Sequence, residues 1–169
     1  NENIPIVKAK RGYKFIGWNT KSDGSGTAYI DKSVVSNLAT TDNSNVILYA
    51  QWSASDYLIL FDSNGGSGTM SSIKVAYDQD VTLPVNGFEK EGYKFITWNT
   101  ESDGSGTSYG ASSIQKSLTS KENIVLYAKW EGQTYTINYE LNGGTCDNLL
   151  TTYSSYRDDD IELPRPKKD

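Results

Sequence analysis

The sequence predicts an α+β chain that is mainly β, assembled from tandem units of about 75–80 residues. Three observations predict it. Long stretches recur at a fixed spacing. The apolar mass is carried by aromatic and β-branched residues, with 12 Tyr and 4 Trp against a single Met. Short alternating runs are punctuated by glycine and asparagine turn signals. A chain of 169 residues that is 36% hydrophobic and 22% charged carries enough apolar surface to fold.

The repeat comes first because it fixes the frame for every element. GYKFIGWNTKSDGSGTAY (residues 12–29) recurs as GYKFITWNTESDGSGTSY (residues 92–109), identical at 15 of 18 positions, at an offset of 80. NVILYAQW (45–52) recurs as NIVLYAKW (123–130) at an offset of 78, so the segment between the two motifs loses two residues and reads as a loop. The same offset of 78 carries YLILFDSNGG (57–66) onto YTINYELNGG (135–144), and AYDQDVTLP (76–84) has a looser echo in SYRDDDIELP (155–164). Read from its Tyr-initiated strand, the unit is complete over residues 57–130. Residues 1–52 are the closing part of a preceding copy and 135–169 the opening part of the next. Four residues, 53–56 and 131–134, separate the copies at each joint, too few for a floppy tether.

Within the complete copy, Tyr57 to Asp62 is a strand entering an Asn64-Gly65 turn. The next copy replaces Leu58 and Leu60 by Thr136 and Asn138 but keeps Tyr57, Ile59 and Phe61 aromatic or aliphatic, so the latter set faces the core. Ile73 to Tyr77 reads as a second strand, and Val81 to Leu83 as an extended piece ending at Pro84. Lys94 to Thr100 is a strand carrying Phe95, Ile96 and Trp98, and Ser102 to Gly106 is a loop by composition. Ala111 to Leu118 has a helical spacing through Ile114 and Leu118 that predicts a turn or two of helix. Asn123 to Trp130 closes the unit as a half-buried strand with Leu126, Ala128 and Trp130 on one face.

Composition and motif chemistry point away from catalysis. There is no histidine, which removes histidine-based triads, general bases and metal ligands, and one cysteine, Cys146, which can form no intrachain disulfide. A net charge of −5 and a pI near 4.8 give no electrostatic attraction to nucleic acid. Asn99-x-Glu101-x-Asp103-Gly104 imitates the first half of a calcium loop, but position 12 of such a loop falls on Gly110 and the earlier copy has Lys21 in place of Glu101. The acidic run Asp158, Asp159, Asp160 and Glu162 lacks a counterpart in the complete copy, where Asp78, Gln79 and Asp80 stand. No phosphate-cradling glycine motif occurs. The expectation is therefore no catalytic, cofactor-binding or metal-binding residue. The recurrent aromatics Tyr13, Phe15, Trp18, Tyr29, Tyr49 and Trp52, repeated as Tyr93, Phe95, Trp98, Tyr109, Tyr127 and Trp130, are read as core. Tyr49 and Tyr127 are the candidates for ligand contact, because their parity is opposite to the core set of their strand.

The motifs Gly-Tyr-Lys-Phe-x-x-Trp-Asn-Thr, Asp-Gly-Ser-Gly-Thr and Leu-Tyr-Ala-(Gln/Lys)-Trp resemble the Listeria-Bacteroides repeat, the family typified by the B-repeat of internalin B. The opening of residues 57–66 is similar to the start of that repeat, so the resemblance covers nearly the whole chain. It implies a small β-grasp unit, ubiquitin-like or SUMO-like, in tandem on secreted or surface proteins of bacteria, between a ligand-binding head and a wall anchor. Such segments serve as spacers and auxiliary adhesion modules, and the resemblance brings no catalytic residues.

Two functions of different class follow as expectations: a semi-rigid spacer, or a binding module for a host protein or cell-surface glycan. No apolar run is long enough for a membrane span, and the opening residues lack the plan of a signal peptide, so the chain is expected to begin inside something larger. Neighbouring repeats are the expected partners. The partial copies at the two ends are complementary halves, which leaves two alternatives: head-to-tail contact between molecules, or a permuted unit running from near Ile4 to near Pro84.

Overall fold

The computed structural model describes residues 9–41, 44–154 and 161–168. Among these residues the fold is all β, with twelve strands: β1 (Tyr13–Asn19), β2 (Ala28–Tyr29), β3 (Tyr49–Ala54), β4 (Asp56–Asp62), β5 (Ile73–Ala76), β6 (Asp80–Thr82), β7 (Tyr93–Asn99), β8 (Ser108–Tyr109), β9 (Ile114–Lys116), β10 (Asn123–Gly132), β11 (Thr134–Thr136) and β12 (Thr152–Ser154). The sheets run β2-β1-β3, β5-β4-β10-β7-β8, β6-β9 and β11-β12.

The helix expected over 111–118 is not there. Ser112 and Ser117 take φ values of 62° and 54°, which break a right-handed helix at both ends of the segment. The residues between them form β9, in which Gln115 lies opposite Val81 of β6. The mainly β expectation holds, and the α component does not.

The remaining elements follow the alternation read from the sequence. In β4, Tyr57 and Ile59 are 2% and 0% exposed while Leu58 is 38% exposed. In β10, Leu126 and Ala128 are fully buried and Val125, Tyr127 and Lys129 lie on the other parity, half-buried or exposed. Register slips by one residue opposite Ile16 and again opposite Ile96. This is a β-bulge that turns both isoleucines outward, 61% and 46% exposed.

The described residues divide into two compact units that do not follow the sequence copies. One comprises the residues up to Ile59, Ser72–Thr82 and Ile114–Ile124; the other comprises Leu60–Ser71, Leu83–Ser113 and the residues from Val125 on. The second unit holds an aromatic cluster: Trp98 is buried completely, with Phe61 and Phe95 both 4.9 Å from its ring and Phe88 at 6.2 Å. Its indole Nε1 donates to the Pro84 carbonyl at 3.2 Å, so the apolar ring is buried without stranding its polar atom.

Strand pairings recur at the spacing of the sequence repeat. In the third copy, β11 and β12 pair Thr134 with Ser154, Tyr135 with Tyr153 and Thr136 with Thr152. Shifted by 78, these are the β4–β5 pairs Asp56 with Ala76, Tyr57 with Val75 and Leu58 with Lys74. The isolated bridges Ser67–Glu89 and Thr145–Lys167 obey the same shift. In the first copy, Trp18 faces Tyr29 as Trp98 faces Tyr109. One difference is informative. Segment 45–52 enters a strand only at Tyr49, whereas its counterpart, read from sequence as a strand over 123–130, begins at Asn123. β10 lies between two neighbours in its sheet, while β3 is an edge.

Candidate functional site

The glycine-rich segments, read from sequence as loops by composition, are built around a buried asparagine. Asn99, 1% exposed at the end of β7, accepts at Oδ1 from the backbone N–H of Glu101 (2.8 Å) and Gly106 (3.1 Å). Its Nδ2 donates to the carbonyls of Gly104 and Gly106 and to Ser108 Oγ. Asn19, 3% exposed, does the same with Lys21, Gly24 and Gly26. Thr100 Oγ1 accepts from Thr107 N–H, as Thr20 Oγ1 accepts from Thr27 N–H. These bonds convert Asn-Thr-x-Ser-Asp-Gly-Ser-Gly-Thr into a rigid hairpin tip. The oxygen that a calcium loop would offer at Asn99 is already committed to backbone amides. Among the described residues no group of three or more acidic or cysteine side chains is placed to hold a metal.

Asp103 at the loop tip is held below the usual carboxylate range, chiefly by the hydroxyl of Ser105 and then by its backbone N–H, which donates at 2.9 Å. Asp23 is lowered in the same way, with the Ser25 backbone N–H foremost. Both are ordinary turn carboxylates in a local hydrogen-bonded turn.

The joints between copies are also built. Between β3 and β4 only Ser55 lies outside a strand, and between β10 and β11 only Gln133, so the expected four-residue connectors are mostly strand. Ser55 N–H donates to Gly12 O at 2.9 Å, and Tyr77 N–H donates to Ser55 O at 2.9 Å. Tyr13 meets Tyr77 edge-on at 5.8 Å. Gly12 has φ of 77°, and a Cβ there would fall into the Tyr77 ring. At the next joint Gln133 N–H donates to Gly92 O at 2.7 Å. A recess of about 530 Å³ lies beside it, lined by Lys94, Glu131 and Tyr135, with Lys94 and Glu131 paired at 2.7 Å.

The first copy carries an apolar groove of about 1160 Å³ lined by Phe15, Trp18, Leu48, Trp52, Val35, Leu38 and Val46, among others. Leu48 is half-buried where its counterpart Leu126 is fully buried, and Trp18 is half-buried where Trp98 is fully buried.

Of the two tyrosines singled out for ligand contact, Tyr49 is 37% exposed and Tyr127 half-buried. They occupy equivalent ladder positions opposite Asn19 and Asn99 and line neither the recess beside Gln133 nor the groove over Trp18. In the complete copy every tyrosine and tryptophan is buried or half-buried. Cys146 is half-buried and contacts the Asp147 carbonyl at 3.7 Å. The acidic residues Asp158 to Asp160 lie outside the described residues, and Glu162 is exposed. Sequence reasoning missed Asn19, Asn99 and Gly12. The signal for all three was present in the strict recurrence of Gly-Tyr and Trp-Asn-Thr.

The family model of the Listeria-Bacteroides repeat domain matches residues 3–51 and 57–129. A protein of Evansella cellulosilytica named "Putative Gly-rich membrane protein" is 38% identical over 140 residues, covering 81% of this chain and 16% of its own length. Another from the same organism, named "Putative membrane protein", is 36% identical over 141 residues, covering 83% of this chain and 19% of its own. The chain thus spans less than a fifth of either relative. No solved structure matches it. No helix among the described residues is long and apolar enough to cross a membrane.

Proposed function

Because the chain belongs to the Listeria-Bacteroides repeat family, we propose that it is a non-catalytic repeat segment of a bacterial surface or secreted protein, acting as a semi-rigid spacer between other domains. The observation that carries this reading is the first joint. Gly12, Ser55 and Tyr77 hold one copy to the next by two backbone hydrogen bonds, and Tyr13 adds a ring contact to Tyr77, leaving no free linker to swivel. The names of the two relatives support a membrane-associated setting. The division into copies at 1–52, 57–130 and 135–169 is part of the reading, supported by the matched ranges and by the constant shift of 78 between β4–β5 and β11–β12. The β-grasp description of each unit draws support from the adjacency of β4 and β10, the first and last strands of the complete copy, at the centre of one sheet.

Small-angle scattering on polypeptides of two, three and four copies tests the spacer reading. The maximum dimension is expected to rise linearly with copy number; a compact particle or freely jointed chain overturns it. The second reading, a binding module for a host protein or glycan, rests on the exposure of Tyr49. A glycan and extracellular-protein array probed with the four-copy polypeptide is expected to lose any signal on Tyr→Ala substitution at these positions if that reading holds.

A further inference from the structure

The first and last strands of the complete copy lie side by side and run the same way. β4 and β10 are neighbours in one sheet. Near the start of the pair, Leu58 N–H donates to Glu122 O at 2.9 Å. Just past the end of β4, Asn64 Nδ2 donates to Ala128 O at 3.0 Å. The second contact lies the same number of residues further along both segments, so the strands advance together and pair in parallel. Two more side-chain bonds fasten this far end. Trp130 Nε1 reaches back from β10 to Ser63 O at 2.8 Å, and the Asn64 amide also donates to Ser102 O at 2.7 Å.

Parallel pairing puts the entry and the exit of the chain at opposite ends of the pair. The chain enters at Asp56, the first residue of β4, and leaves at Gly132, the last of β10. Only Ser55 separates β3 from β4, and only Gln133 separates β10 from β11, so no slack loop takes up a pull along the chain. Tension therefore draws β4 towards its own start and β10 towards its own end. The bonds across the pair are loaded in shear, all together, whereas strands pulled apart from one end are peeled open a bond at a time. Each hydrogen bond is modest on its own, so resistance to force depends on their sharing the load.

We propose that β4 and β10 form a mechanical clamp through which the complete copy bears tension along the chain, fastened at its far end by the Asn64 side chain. Sliding of β4 against β10 must break the Asn64 and Trp130 bonds together with the backbone bonds of the pair. That the segment meets tension in service rests on the spacer reading, but the clamp geometry does not. A flexible array in scattering and a weak pair under force are therefore separate outcomes.

Single-molecule force spectroscopy on the 169-residue chain carrying Cys146→Ser tests the clamp. Handles on Ser55→Cys and Gln133→Cys pull the pair in shear. Handles on Ser55→Cys and Lys121→Cys pull both strands from one end and peel it. At one loading rate the shear geometry is expected to unfold at a force at least about twice that of the peel geometry, because forced unfolding reports the barrier to unfolding along the pull. Shear rupture is expected as a single step that lengthens the chain by about 20–25 nm, the extended reach of residues 56–132 less the folded span. Asn64→Gly removes the side-chain bonds and keeps the φ of 50° accessible. It is expected to lower the shear force and leave the peel force unchanged, since peeling breaks the Leu58 end first. Equal forces in the two geometries, a shear force unmoved by Asn64→Gly, or a loss of the same size in both geometries each overturns the proposal.

Discussion

Asn99 shows how a single residue converts a flexible composition into a fixed tip. A stretch with two glycines and two serines between its threonines has high conformational entropy when unfolded. The buried amide offsets that by satisfying loop donors and acceptors that would otherwise face the protein interior. Asn99→Ala is expected to lower the unfolding free energy by about 1–3 kcal/mol, the usual range for leaving buried partners unsatisfied, and chemical denaturation followed by tryptophan fluorescence checks it. The aspartates at the two tips add a pH dependence. Their folded pKa values lie below the ordinary 3.8, so their contribution is complete above that value and is lost as pH falls through the folded pKa. In Asp103→Asn and Asp23→Asn the acid limb of the stability profile below about pH 4 is expected to flatten; an unchanged limb would show that the turn bonds do not persist in solution. The roles of Asn19 and Asn99 were not legible from residue type. Asparagine beside glycine reads as a turn former, and only burial reveals that its side chain faces inward and organises the turn.

Among the elements, strands were readable wherever one face is buried, because alternation then selects the side chains. The readings of β4 and β10 succeeded for that reason. The segment 111–118 failed because two apolar residues four apart fit a helix as well as a strand edge, and the positive φ at Ser112 and Ser117 leaves no mark in residue type. The joint was half legible: its shortness was visible, but its rigidity depends on Gly12 lying under the Tyr77 ring. Gly12→Ala forces an L residue to φ near 77° and drives a methyl into that ring. The expected cost is about 1–3 kcal/mol. The part specific to the joint is read as faster hydrogen exchange at Ser55 and Tyr77, whose amides make the two bonds across it. Exchange unchanged at those two amides would show that the ring contact does not hold the joint.

At the scale of the whole molecule the chain contains its own control, near-identical sequences in unlike surroundings. Residues 46–48 and 124–126 are Val-Ile-Leu and Ile-Val-Leu, of equal β propensity. Yet the second triplet lies in a strand flanked on both sides and the first is not in a strand at all. Val46 and Ile47 are 41% and 60% exposed, while Ile124 and Val125 are half-buried and Leu126 is fully buried. Propensity therefore does not decide the outcome; a neighbouring strand and the area it covers do. Local opening free energy follows buried apolar contact and hydrogen bonding, so amide exchange of the dilute, monomeric chain is expected to be slow at Ile59, Leu126 and Ala128 and fast across 46–48. Equal protection of 46–48 and 124–126 in the dilute chain would mean that each copy is stabilised by its own sequence.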